Sequence, residues 1–187
     1  MKPWKTLDRR TVFEHKPWLT VERHTVELPD GRVIPDWQWV ITPDYVNVVA
    51  IAEDGAFLCF RQVKYAIEGP TLALIGGFLE SGEEPLAAAK RELLEETGCE
   101  APDWLELGHF QVDPSRGVAI AHFYLARRVR QVAAPTGGDL EEQHLLRLSR
   151  EQMEKALNTG EFKVLAWSHA TALALRALGN EEARKSS

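Results

Sequence analysis

Cysteine is nearly absent from this chain of 187 residues: Cys59 and Cys99 are the only two, and both sit in apolar stretches. That is too few for a disulfide framework and suits a reducing compartment. No run approaches the roughly 18 consecutive apolar residues of a membrane span. The opening MKPWKTLDRR is basic with no apolar segment behind it, so a cytoplasmic protein without membrane contact is expected. Positive charge is also short, with 22 Lys and Arg against 28 Asp and Glu and a formal net charge of −6. This excludes a protein whose main task is coating nucleic acid, which needs a basic face to displace counterions. An anionic small molecule stays open as a ligand if a local cation meets it, and clustered carboxylates that collect a divalent metal supply one. The histidines at 15, 24, 109, 122, 144 and 169 show no metal-binding spacing and read as structural or surface groups. Internal repeats and long linkers are missing too. An apolar content of 44% can fill one core, so a single cooperative domain with at most a small appendage is expected.

What is present starts with β patterning. WLTVERHTVEL and RVIPDWQWVI flank the turn signal at Pro29 to Gly31 and predict a hairpin from Trp18 to Ile41. Tyr45 to Ala52 and Ala56 to Val63 flank an Asp-Gly turn and read as core strands, followed by a short apolar run from Leu72 to Ile75. Further strands are expected at Leu105 to Val112, Val118 to Ala126 and near His144 to Leu148. Ser149 has the character of a helix N-cap, and a last helix is expected over Ala166 to Leu178. Strands on both sides of one central helix, with terminal helices behind them, predict an α+β or α/β layered domain.

The central helix carries the chemistry. It starts at Pro85, since proline is tolerated at the first helical position, and ends at Gly98. Leu86, Ala89 and Leu93 form its apolar stripe. Glu92, Glu95 and Glu96 fall at i, i+3 and i+4, which crowds their carboxylates on one face with Cβ atoms about 5 to 6 Å apart. Like charges that close destabilise a bare helix, so a compensating cation is expected. Oxygen-only ligands suit magnesium or manganese, and a pyrophosphate bridge is their natural substrate partner. Arg91 stands beside this face, with Glu83 or Glu95 as the candidate partner for its planar fork.

The segment GGFLESGEEPLAAAKRELLEETGC resembles the Nudix box, Gx5Ex7REUxEExGU with U an apolar residue. Gly77, Glu83, Arg91, Glu92, Leu93, Glu95, Glu96 and Gly98 match it, and Cys99 takes the last apolar place as a small hydrophobe. The resemblance implies a Nudix αβα sandwich with a mixed central sheet over residues 43–187 and a β-hairpin extension over 1–42. It also implies Glu92 and Glu96 as principal metal ligands, Glu95 on a second ion, Glu83 as an auxiliary carboxylate, and the Gly76 carbonyl within reach of a metal.

Outside the box the chain is similar to the ADP-ribose and nucleoside diphosphate sugar branch of that family. Pro114 falls about where the branch carries a proline, and Arg61 to Lys64 is similar to its RQxR element, with Lys64 lacking the bidentate fork of arginine. The N-terminal hairpin resembles the branch's dimer-forming extension, which implies a homodimer. Trp18 and Trp37 occupy places where family members stack on adenine, with Trp39 a competitor and ordinary core or interface roles as the alternative. GDLEEQHLLRLSREQ resembles the loop that brings a catalytic glutamate over the metals, with Glu141 the first choice for the general base and Glu142 the second. The chain departs from the branch where ELPAG commonly leads into the box, since it has Ala73, Leu74, Ile75, Gly76 and Gly77 there. The implied reaction is metal-dependent cleavage of ADP-ribose or a related nucleoside diphosphate sugar. A dinucleotide hydrolase and a non-cleaving nucleotide sensor are the alternatives.

Overall fold

The structure, a computed structural model, describes residues 1–137 and 142–185. The chain divides into two compact units, Met1–Asp44 with Phe110–Ala121, and Tyr45–His109 with His122–Ser187. Among the described residues no helix is long and apolar enough to cross a membrane.

The first unit holds β1 (Lys5–His15), β2 (Leu19–Glu27) and β3 (Val33–Ile41) in one antiparallel sheet of order β1-β2-β3. The expected hairpin is β2 and β3, closed where the Leu28 N–H donates to Arg32 O at 2.8 Å and the Gly31 N–H to Leu28 O at 2.9 Å. β1 is an addition to the sequence reading. All of its residues are exposed, so its side chains show none of the apolar and polar alternation by which a half-buried strand is recognised.

The second unit contains β4 (Tyr45–Ala52), β5 (Phe57–Gln62), β6 (Thr71–Ala73), α1 (Pro85–Thr97) and β7 (Cys99–Glu100). β8 (Asp103–Asp113) and β9 (Val118–Gln131) run through both units, and β10 (Gln143–Leu148), α2 (Arg150–Asn158) and α3 (Leu165–Lys185) complete the chain. The sheet order is β10-β5-β4-β9-β7, with β6 paired to β5 and β8 to β9. On one face Val46, Val48, Ala50, Leu58, Phe60 and Tyr124 pack with Ala88, Ala89 and Leu93 of α1. The next residues along these strands point the other way, and there Phe123 meets His169 of α3 edge to face at 5.9 Å. Sheet and helices thus form the layered arrangement expected from the element order. Leu86 stands exposed on the first turn of α1, and Ala88 takes its expected place in the buried stripe.

One irregularity builds the site. β4 and β5 pair only at Ala50↔Leu58 and Ile51↔Phe57, and beyond that point residues 71–78 are wedged between them. The first arm pairs with β5 (Gln62↔Thr71, Phe60↔Ala73). After Leu74 the chain doubles back and bridges to β4 at Ile75↔Val48 and Phe78↔Tyr45. The Val46 N–H donates to Gly77 O at 2.9 Å and the Val48 N–H to Ile75 O at 2.8 Å. Gly76 and Gly77 therefore finish level with Gln62, two arms away across the sheet.

Both cysteines are free and buried, and burial pushes the Cys59 thiol up to about 12. At the start of α2 the Gln152 N–H donates to Ser149 Oγ at 3.3 Å while the Ser149 N–H donates to Gln152 Oε1 at 2.8 Å, a reciprocal capping box. Ser149→Ala leaves a helix donor without its acceptor and is expected to cost about 1 kcal/mol, or roughly 3 °C in Tm. Thermal unfolding by circular dichroism checks this.

Candidate functional site

The polar face of α1 is organised by Arg91. Its Nε donates to Glu83 Oε1 at 3.0 Å and its Nη2 to Glu83 Oε2 at 3.0 Å, a two-point fork. Nη1 donates to Glu92 Oε1 at 2.7 Å and to Glu95 Oε2 at 3.0 Å, and Nη2 also reaches Phe78 O at 3.1 Å. Both partners expected for Arg91 are present, with Glu92 added. The surrounding carboxylates, Glu83 first, raise the guanidinium's pKa still further, so Arg91 is a fixed positive charge.

Two glycines let the helix approach the wedge. A Cβ on Gly77 would collide with the Glu92 carboxylate, so the bare Cα is what makes room for that side chain. Gly76 has φ +149, and a Cβ there would run into Val46 O and lie 3.0 Å from Asn47 Nδ2. Its N–H donates to Glu96 Oε2 at 2.9 Å, which ties the wedge to the last turn of α1. The next residue beyond that turn, Gly98, is left-handed and donates its N–H to Leu94 O. Thr136 and Gly137 both donate N–H groups to Glu95 O, at 2.9 and 2.7 Å, so the chain after β9 is strapped to the same turn.

The electrostatics of the carboxylates differ. Burial pushes the Glu92 carboxyl above the usual carboxylate range, against the pull of Arg91, and the nearby Glu95 and Glu83 charges push the same way. The Arg91 guanidinium holds the Glu83 carboxyl below that range. A depressed folded value stabilises the fold above the unfolded value, and that stabilisation fades as pH falls through the folded one. Glu83→Gln is therefore expected to lose less stability than the wild type on acidification below the ordinary carboxylate range. Urea midpoints over a pH series check this, and parallel curves would contradict it.

Whether this face suits a divalent metal is a matter of donor chemistry. Among the described residues no group of three His, Cys, Asp or Glu side chains already stands in ligand geometry, and Arg91 Nη1 bridges Glu92 and Glu95. The donors on offer are nevertheless all oxygens, three carboxylates and a backbone carbonyl, the kind hard ions take. The desolvated charge of Glu92 is the sort that a cation relieves. The residues fit magnesium or manganese, with Glu92, Glu95, Glu96 and the Gly76 carbonyl as the groups that would hold it.

The other expected site residues belong to both units. In the first unit a cavity of about 370 Å³ is lined by Trp4, Arg9, His24, Trp37, Trp39 and Pro114, among others. Trp37 meets Trp4 edge to face at 5.2 Å and donates Nε1–H to Ser115 O at 2.9 Å. Trp39 stacks on His24 at 5.2 Å, and His24 Nε2 lies 2.7 Å from Glu22 Oε2. The cavity thus takes in Trp37, its competitor Trp39 and Pro114, while Trp18 is exposed and lines no part of it. Trp4, Arg9 and His24 were missed by sequence reasoning. Trp4 precedes and Arg9 lies within β1, a strand with no readable alternation, and His24 gains its place through cross-strand pairing with Arg9 and Trp37.

In the second unit Arg61 donates Nη2–H to Glu161 Oε2 at 2.8 Å, so its fork already has a carboxylate partner. Arg61 lines an open cleft of about 570 Å³ with Gln62, Tyr65, Pro70, Glu142 and His144. Glu142 is exposed and pairs with His144 at 3.2 Å. Glu141, the first choice for general base, lies outside the described residues, and Lys64 stands at the end of the Arg61 run.

Comparison with known proteins bears on what this arrangement does. The chain matches the family model of the NUDIX domain over residues 42–179 and that of the nucleoside diphosphate sugar hydrolase N-terminal domain over residues 4–40. It is 28% identical to an ADP-ribose pyrophosphatase of Bacillus subtilis (strain 168) over 179 residues, covering 96% of this chain and 94% of that one. It is 31% identical to a methanol dehydrogenase activator of Bacillus methanolicus, covering 86% and 84%. A solved structure titled as an ADP compounds hydrolase superposes with a TM-score of 0.80 over 97% of both chains at 22% identity, which bears on the fold.

Proposed function

The chain belongs to the Nudix family of hydrolases, and we propose that it cleaves the pyrophosphate bridge of ADP-ribose or a related nucleoside diphosphate sugar, releasing a nucleoside monophosphate and a sugar phosphate. The observation that carries this reading is the α1 face, where Glu83, Glu92 and Glu95 converge on Arg91 against the Gly76–Gly77 wedge. The N-terminal match and the B. subtilis relative favour a sugar-bearing substrate.

A bound divalent ion, magnesium or manganese, supplies charge neutralisation of the phosphate oxygens and a lower pKa for the attacking water. Glu92 and Glu96 are assigned as its principal ligands, with Glu95 and the Gly76 carbonyl completing the set. Arg91 is the positioning residue, since it holds Glu92 and Glu95 at fixed places with one nitrogen while Glu83 anchors the opposite edge of its fork. Glu141, or failing it Glu142, takes the proton from the attacking water. The tryptophan-lined cavity of the first unit is assigned to the nucleobase, where stacking on aromatic side chains contributes about 1 to 3 kcal/mol per base. Arg61, Lys64 and Pro114 complete the substrate contacts.

We further propose a homodimer formed through the N-terminal strands. β1 leaves Leu7, Val12 and Phe13 exposed on an 11-residue strand, more apolar surface than a sheet edge ordinarily leaves open. A monomeric mass by light scattering at micromolar protein would count against it. The buried free thiols fit a reducing cytoplasm.

Product analysis over a panel of nucleoside diphosphate compounds with magnesium tests the reading. Release of AMP and ribose 5-phosphate from ADP-ribose is the expected result. Turnover confined to dinucleotides, or absent from every nucleoside diphosphate sugar, would overturn it.

A further inference from the structure

Along the chain the histidines show no metal-binding spacing, but strand pairing brings two of them together. β8 pairs with β9, and the rings of His109 and His122 stand 5.9 Å apart between centroids, tilted by 35°. Both residues belong to the second unit. His109 is exposed and His122 is half-buried.

The separation is close to that of a chelate. With metal–nitrogen bonds of about 2.0 to 2.1 Å, two imidazoles on one tetrahedral zinc ion hold their ring centres roughly 5 Å apart. A rotation of His109, whose side chain is 66% exposed, closes the difference. Glu106 adds an independent sign. Its Oε1 lies 3.2 Å from His109 Nδ1, and a carboxylate only accepts, so Nδ1 carries the proton. Nε2 of the neutral ring is then the nitrogen with a lone pair to give. A carboxylate behind one ring nitrogen is the support that metal-bound histidines commonly have, since it fixes the ring and makes the other nitrogen a better ligand.

The surroundings are negative. Tyr124 lies two residues beyond His122 on β9, hence on the same face, and its phenol is pushed up by burial first and then by the charges of Glu106 and Glu84. That field favours a cation, and imidazole nitrogens select among cations. They suit zinc and its neighbours in the transition series, whereas magnesium takes oxygen donors. The pair shares no residue with the α1 carboxylates. No group of three His, Cys, Asp or Glu side chains stands in ligand geometry among the described residues, so the protein supplies two ligands here and water the rest.

We propose that His109 and His122 form a second metal site, which holds one zinc ion between β8 and β9, with Glu106 as the positioning residue that orients His109. The bound ion ties the two strands through their side chains.

The test is a titration of untagged, ¹⁵N-labelled protein with zinc chloride, with excess magnesium present to compete for the α1 carboxylates. The ring nitrogen signals of the six histidines are followed by NMR. Those of His109 and His122 are expected to shift together and to saturate at one equivalent of zinc. Rings that do not respond, or that respond at different zinc concentrations, would reduce the pair to an ordinary ring contact and overturn the proposal. Glu106→Gln is expected to weaken zinc binding about tenfold, and His109→Asn further still. Zinc at about ten times its Kd should raise the wild-type Tm by about 3 °C and leave that of His109→Asn nearly unchanged. Equal zinc affinity in the wild type and His109→Asn would also overturn the site, and equal affinity in Glu106→Gln would remove the role of Glu106. None of these results depends on cleavage of a nucleoside diphosphate sugar, so the hydrolase reading stands or falls separately.

Discussion

Glu96→Gln is expected to lower kcat for ADP-ribose by about three orders of magnitude, which corresponds to roughly 4 kcal/mol of lost transition-state stabilisation. The fold should survive. In the resting protein Glu96 Oε2 accepts the Gly76 N–H at 2.9 Å, and a glutamine oxygen can accept the same bond. What glutamine cannot do is contribute a full negative charge to a divalent cation. The substitution therefore separates the two tasks of this side chain, closing the wedge onto α1 and holding the ion. Steady-state kinetics beside a thermal melt read both. A large fall in kcat with Tm within a few degrees of the wild type is the expected pair. Unchanged turnover would show that the carboxylate face is not where the chemistry happens.

The adjacent glycines are expected to fail in opposite ways. Gly76→Ala places a Cβ into the backbone carbonyl of Val46 at a φ of +149 that L side chains rarely adopt. Overpacking costs about 1 to 3 kcal/mol and the strained backbone about as much again, so a loss near 4 kcal/mol and roughly 10 °C in Tm is expected. Gly77→Ala meets only the carboxylate end of Glu92, a flexible group that can swing aside. Its Tm should stay within a few degrees while kcat falls by about two orders of magnitude, because a displacement near 1 Å at the reacting centre is costly. Equal loss of stability in the two variants would mean that the wedge, and not the position of Glu92, is what Gly77 protects.

The sequence disclosed this site unevenly, and the physics says why. Glu92, Glu95 and Glu96 lie within five residues on one helix, where fixed periodicity converts spacing into a shared face, and Pro85 and Gly98 mark the ends. The partners of Arg91 were legible in Glu83 and Glu95, while its bond to Glu92, the next residue along the helix, was not, because neighbouring residues do not share a helix face. β1 carries no alternation, because neither of its faces is buried, and so it escaped notice. The cavity around Trp4, Trp37 and Trp39 is assembled by strand register, a long-range property that local pattern does not encode.

Turnover of ADP-ribose after the protein has been dialysed against EDTA, with and without magnesium restored, tests the central claim most directly. The account predicts no AMP release in the stripped protein and a rate that returns and saturates as magnesium is added. AMP release undiminished in excess EDTA would contradict it.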